Sequence, residues 1–196
     1  MLVIGLAGGS GSGKGTVSSY FRKYGIPVFN CDASYHSSNS RNGQATRELV
    51  QEFGIKILND KGKIDRRALF SVAFADPKSR ERLNEITHRL ILERLHRWLL
   101  KKERMGVFAV VIDAPLLFEA GLDRECDRTV AVTAPRELRV QRIVRRDGIS
   151  REEAEERISA QIPDEELRRR ADCVLDNDGN LAKLQKQVEA FLNNIK

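Results

Sequence analysis

Nine residues near the start of the chain, Gly8-Gly9-Ser10-Gly11-Ser12-Gly13-Lys14-Gly15-Thr16, limit what it can fold into more than any other segment. They follow an apolar run from Leu2 to Ala7 and open a stretch, Ser12 to Tyr24, in which Val17, Tyr20 and Phe21 recur at helical spacing and after which Gly25 supplies a stop. Strand, glycine-rich turn and helix with G-x-x-x-x-G-K spacing form the setting of a phosphate-binding loop. Glycines let the backbone curl so that several N–H groups face one anion. The helix N-terminus adds partial positive charge, and Lys14 brings a full charge to the β- and γ-phosphates of a nucleotide. The nucleotide-binding set is therefore Gly11, Ser12, Gly13, Lys14, Gly15 and Thr16. One position departs from the pattern: Gly15 stands where a serine or threonine hydroxyl usually meets Mg2+, and Thr16 is the next hydroxyl along.

The rest of the pattern reads as α/β. Short apolar runs at 26–29, Val107 to Ile112, Thr129 to Val132 and Cys173 to Asp176 have the character of parallel strands covered on both faces. Between 43 and 103 apolar residues recur at three and four, in the sets Leu49, Val50, Phe53; Ala68, Leu69, Val72; and Leu83, Ile86, Leu90, Leu95, Leu99. These are helices, broken at 59–62 and at Asp76-Pro77, after a polar, loop-like stretch from Ser34 to Asn42. Further helices are expected from Pro135 to Arg146, from Arg151 to Ala160 and from Leu181 to Ile195. The expected fold is an α/β P-loop fold, a parallel sheet flanked by helices, with a core of 1–33, 104–138 and 171–196, a helical insertion at 34–103 and a helical lid at 139–170.

In open α/β sheets the ligand lies beyond the carboxyl ends of the strands. Asp32 and Asp113 fall there. Phosphoryl transfer to an alcohol needs a carboxylate to orient the hydroxyl and take its proton, and another beside the metal; Asp32 suits the first task and Asp113 the second. The other role open to each is a helix N-cap or turn. Arg139, Arg142 and Arg146 share one helical face. They are either a salt-bridged solvent surface or the phosphate-facing side of a lid jointed at Asp147-Gly148, with Arg142 and Arg146 as the catalytic pair.

Taken in order, these segments resemble the dephospho-coenzyme A kinase family over nearly the whole chain. The resemblance lies in the loop, Gly25-Ile26-Pro27-Val28, Asp32, Leu83-Asn84-Glu85-Ile86-Thr87-His88, Asp113-Ala114-Pro115-Leu116-Leu117-Phe118-Glu119, Arg142 to Gln161, and Ala171 to Gly179. It implies ATP-dependent phosphorylation of the ribose 3′-hydroxyl of dephospho-coenzyme A with Mg2+. Asp32 would then be the base, Lys14 would hold ATP, Arg142 and Arg146 would close over the phosphates, and Thr16 and Asp113 would sit at the metal. The insertion at 34–103 would bind the acceptor. Three positions depart from the family: Gly15 replaces Ser, His36 stands where arginine is common, and Arg89 stands where the family has Pro.

Other readings are a different nucleoside or nucleotide kinase on the same fold, or a non-catalytic nucleotide-binding protein. The net charge of +6 suits a phosphate-bearing partner, but positive and negative residues interleave and aromatics make up only 6%, unlike a nucleic-acid surface. No apolar run approaches the ~18 residues of a membrane span. The three cysteines, Cys31, Cys126 and Cys173, lack metal spacing and read as reduced. A cytoplasmic monomer that binds neither nucleic acid nor membrane is the expectation.

Overall fold

The computed structural model describes residues 1–38 and 43–195, with the side chains of 35–38 excepted. The chain divides into two compact units, Met1–Phe29 with Glu103–Lys196, and Asn30–Lys102.

The first unit is built on a parallel sheet in the order β2-β3-β1-β4-β5, formed by β1 (Leu2–Ala7), β2 (Val28–Asn30), β3 (Ala109–Asp113), β4 (Arg128–Thr133) and β5 (Cys173–Asp176). Every residue of β3 is buried, which is why 109–112 reads as an unbroken apolar run. The neighbours of β1 are β3 on one side and β4 on the other, so the strand order turns at its carboxyl end, where such sheets bind ligands. The glycine-rich loop leaves β1 there. Leu6 pairs with Asp113, and this register places the only acidic residue of β3 beside the loop.

Helix α1 (Lys14–Lys23) buries Val17 and Phe21 against the sheet. Phe21 meets Phe191 of α9 (Leu181–Asn194) edge to face, with centroids 6.1 Å apart. Two side-chain staples fix the far edge of the sheet. The Asp172 carboxylate accepts from Thr129 N (2.7 Å) and Thr129 Oγ1 (2.8 Å), and these bonds hold its pKa below the ordinary carboxylate value. Thr133 Oγ1 donates to Asp176 Oδ1 at 2.8 Å. After β4 come α6 (Arg136–Asp147), α7 (Arg151–Ser159) and α8 (Asp164–Arg170). Val140, Ile143, Ala154 and Ile158 form the core between α6 and α7. Ser150 and Glu153 close a capping box at the start of α7.

The second unit holds α2 (Cys31–Ser38), α3 (Gln44–Phe53), α4 (Arg66–Ala73) and α5 (Pro77–Arg104), where α5 runs two residues past the unit boundary. Its core is Leu49, Phe53, Ile57, Leu69, Ala73 and Leu83. Asp65 caps α4 by accepting from Arg67 N and Ala68 N. Arg89, where a family proline was expected, ties α5 to α3 by pairing with Glu48 and also with Glu93 of its own helix (2.8 Å).

Two elements differ from the sequence reading. The polar stretch from Ser34 is helical as far as Ser38, because Asn30 Oδ1 accepts from Ala33 N at 2.7 Å and so caps a segment with no apolar stripe to announce it. Residues 39–42 of the same expected loop lie outside the described residues. Helix α8 went unread because Leu167 is its only apolar residue; Asp164, Glu165 and Glu166 at its start and Arg168 to Arg170 at its end complement the helix dipole instead.

Phe21→Ala should cost about 3–5 kcal/mol, since it removes a fully buried ring from the core between α1, the sheet and α9. Urea unfolding of the variant measures this, and a loss below ~1 kcal/mol would mean that α1 is not anchored by that contact.

Candidate active site

The phosphate loop is gripped from outside by side chains from three segments. Arg139 of α6 is 4% exposed, and its Nε donates to the Ser10 carbonyl at 2.9 Å. Its Nη1 donates to Asp164 Oδ1 at 2.6 Å. Gln161 Oε1 accepts from Ser10 N at 2.8 Å. One turn along α6, Arg142 Nη1 donates to the Gly11 carbonyl (3.1 Å) and Nη2 donates to Asn177 Oδ1 (3.2 Å). Asn177, just past β5, donates through Nδ2 to the Ser12 carbonyl at 2.7 Å. Burial lowers the pKa of both Arg139 and Arg142. An arginine tolerates this because its reference value lies far above neutrality.

This grip accounts for glycines that phosphate binding alone does not require. A Cβ on Gly9 would run into Arg139 Nη2. Gly13 has φ +94° and a Cβ there would run into Asn177 Nδ2, so both backbone and packing demand glycine at that position.

Inside the loop, Lys14 Nζ pairs with Asp113 Oδ1, and Ser18 Oγ donates to Asp113 Oδ2 at 2.8 Å. The Asp113 side chain is 3% exposed. Asp113 ends β3 as a buried partner of the loop lysine. Asp32 lies in the first turn of α2, exposed, in the second unit, and Asn30 rather than Asp32 supplies the cap. Thr16, half-buried, follows the exposed Gly15.

The arginine face of α6 splits in two. Arg139 and Arg142 are spent on loop backbone. Arg146 is 61% exposed and makes a two-pronged pair with Asp147 (2.7 and 2.8 Å). Arg146 first, and then Arg157 of α7 (2.5 Å), hold the Asp147 carboxyl down to about 2. The expected joint at Asp147-Gly148 is thus braced across by charge, while Gly148 closes α6 with φ +65°. The side chain of His36, noted as a departure, lies outside the described residues.

Beside the loop is a cavity of about 620 Å³, lined among others by Arg136, Arg139, Ile158, Gln161, Asp164 and Asn177. Three of these, Arg139, Gln161 and Asn177, also hold the loop, so cavity and loop share walls. No cluster of three or more His, Cys, Asp or Glu side chains able to hold a metal occurs among the described residues, and no described helix is long and apolar enough to cross a membrane.

The sequence pattern points to the loop, Lys14 and Asp113; it places Arg139 only on the shared arginine face of α6, and it gives no role to Gln161 or Asn177. A signal for Arg139 was present: it falls on the buried stripe of α6 with Val140 and Ile143, where a charged side chain needs a specific partner. Leu117 and Phe118 of the segment after β3 are buried, and Phe118 lies under the Arg170 guanidinium, 4.6 Å from ring centroid to Cζ.

The five-stranded parallel sheet, the loop at its switch point and the lysine paired with a β3 carboxylate define a kinase of the P-loop fold. The family model described as dephospho-CoA kinase matches residues 2–183. The dephospho-CoA kinase of Bacillus cereus is 39% identical over 193 residues, covering 98% of this chain and 96% of that protein. Among solved structures, TT1252 from Thermus thermophilus aligns with a TM-score of 0.81 at 36% identity, covering 100% of this chain and 98% of that one. The dephospho-CoA kinase from Campylobacter jejuni shares the fold, with a TM-score of 0.73 at 24% identity over 98% and 96% of the two chains. The chain belongs to the dephospho-CoA kinase family.

Gly13→Ala should weaken ATP binding by at least about tenfold, roughly 1.4 kcal/mol, because the methyl group displaces Asn177 and strains the loop. Calorimetric titration checks it; unchanged affinity would show that the Asn177 contact does not shape the loop.

Proposed function

We propose that the chain transfers the γ-phosphoryl group of ATP to the ribose 3′-hydroxyl of dephospho-coenzyme A, giving coenzyme A and ADP. The observation that carries this reading is a braced phosphate loop, with its lysine held on a buried β3 carboxylate, in a chain that matches the dephospho-CoA kinase family nearly end to end.

In this reading the loop from Gly11 to Thr16 binds the phosphates through its backbone N–H groups and the start of α1. Lys14 leaves Asp113 for the β- and γ-phosphates, where its charge matches the larger negative charge. The cavity beside the loop receives the adenosine end of ATP. Its volume of about 620 Å³ and its shared walls with the loop suit a nucleotide whose phosphates lie on the loop.

Oxygen donors beside the loop fit Mg2+, a hard cation that keeps several waters and takes one or two carboxylates plus substrate phosphates. Asp113 and Thr16 would hold it, and bound there it neutralises charge on the β- and γ-phosphates. Arg142, already anchored on the Gly11 carbonyl, and Arg146, once it leaves Asp147, stabilise the charge of the transferring group. The Asp32 carboxylate orients the acceptor hydroxyl and takes its proton. Acceptor binding falls to residues 34–103, and cover over the phosphates to residues 139–170. Cytoplasmic action as a monomer fits this chemistry.

Asp32→Ala should slow turnover by roughly 10²–10⁴ in a coupled ADP-release assay with ATP, Mg2+ and dephospho-coenzyme A, while ATP still binds. A variant as fast as the parent would remove Asp32 from the mechanism. A parent chain that binds ATP but releases no ADP with this acceptor would move the reading to another alcohol.

A further inference from the structure

Helix α2 carries Asp32 but offers little apolar surface to hold it down. Among its described side chains the inner face is Cys31 (4% exposed) and, one turn on, Ser34 (9% exposed), while Asp32 and Ala33 between them are exposed. Asn30 fixes the start of the helix, its Oδ1 accepting from Ala33 N at 2.7 Å. The inner face is met by a cation: Arg94 of α5 donates through Nε to Ser34 Oγ at 2.9 Å. Both helices belong to the second unit.

Arg94 lies one turn after Leu90 and next to Leu95, both buried, so it stands at the edge of the packed stripe of α5. A half-buried guanidinium there needs acceptors, and Ser34 Oγ is one. Hydrogen bonds from an ionised donor are the stronger class. Apolar contact is non-directional, whereas a bond to a single hydroxyl on the inner face fixes how α2 is turned about its own axis. Asp32 and Ser34 are two residues apart, about 200° around the helix, so that turn decides where the Asp32 carboxylate points. A base must come within hydrogen-bond reach of the proton it takes, and a misplacement of about 1 Å can cost roughly 10²-fold in rate.

On the reading of Asp32 as the base, we infer that Arg94 is a positioning residue for phosphoryl transfer. Through Ser34 it sets the rotation of α2, and with it the direction of the Asp32 carboxylate toward the acceptor hydroxyl. Arg94 neither takes the proton nor holds the nucleotide; its effect on rate passes through Asp32.

Both residues make other interactions besides this bond, so the test is a cycle of variants in the intact chain. Ser34→Ala, Arg94→Ala and the two together are each made in the parent and in Asp32→Ala. The readouts are kcat and both KM values by ADP release with ATP, Mg2+ and dephospho-coenzyme A, and ATP affinity by calorimetric titration. Ser34→Ala removes a single oxygen, so it carries the test even if Arg94→Ala folds poorly. The expected result is a fall in kcat of roughly tenfold in Ser34→Ala and in Arg94→Ala, with both KM values and ATP affinity unchanged. The double variant should lose no more than Arg94→Ala does. In the Asp32→Ala chain, Ser34→Ala should change the residual rate by less than about twofold. A parent-like kcat in Ser34→Ala, a loss carried by KM or by ATP affinity, or an equal fall in the Asp32→Ala chain would each overturn the inference. Asp32→Ala as fast as the parent would instead sink the reading of Asp32 as the base, and this inference with it.

Discussion

A guanidinium almost sealed from water, that of Arg139, joins the phosphate loop to the helices behind it, and the rest of the site is arranged around that bond. Its charge is met by Asp164, and one of its N–H groups is given to the Ser10 carbonyl. Losing one partner of such a buried pair typically costs about 3–5 kcal/mol, because the other charge is stranded. The pair is thus a strong constraint on where the loop can lie, although it touches no phosphate. Arg142 and Asn177 repeat the device on the next two carbonyls. With the carbonyls of Ser10, Gly11 and Ser12 drawn to these side chains, N–H groups are left for an anion.

The second constraint is charge inside the loop. Lys14 cannot sit beside buried backbone with no counter-charge, and Asp113 supplies one from the adjacent strand. The register of β1 with β3, Leu6 opposite Asp113, is what brings that carboxylate to the lysine. Core packing under α1 and the staples at Thr129 and Thr133 keep this register and the position of Asn177 fixed. Sheet, loop and counter-ion are one construction: a shift of one residue in β3 would turn Asp113 to the opposite face.

How much of this could be read in advance depended on how local the signal was. The loop spacing, the buried strand of β3 and the carboxylate ending it are visible because each is a short-range pattern. The grip on the loop is not, because Ser10 and Gln161 are 151 residues apart and no periodicity links them. Spacing on α6 put Arg139, Arg142 and Arg146 on one face but could not say that the first two would be consumed by backbone carbonyls and the third left on the surface. The loop glycines were read as conformational necessities for phosphate binding; Gly9 and Gly13 also prove to be steric necessities imposed by Arg139 and Asn177. Helix α2 escaped notice because its formation rests on one cap, Asn30, and not on an apolar stripe.

The loop is preformed and held from outside, and crystal structures of the chain with and without bound ADP test that most directly. The prediction is that the Ser10, Gly11 and Ser12 carbonyls keep Arg139, Arg142 and Asn177 as donors in both, with loop backbone shifts under ~1 Å, while Lys14 changes partner, from Asp113 to phosphate. A nucleotide-free loop with those three bonds broken, re-forming only when ADP binds, would contradict it.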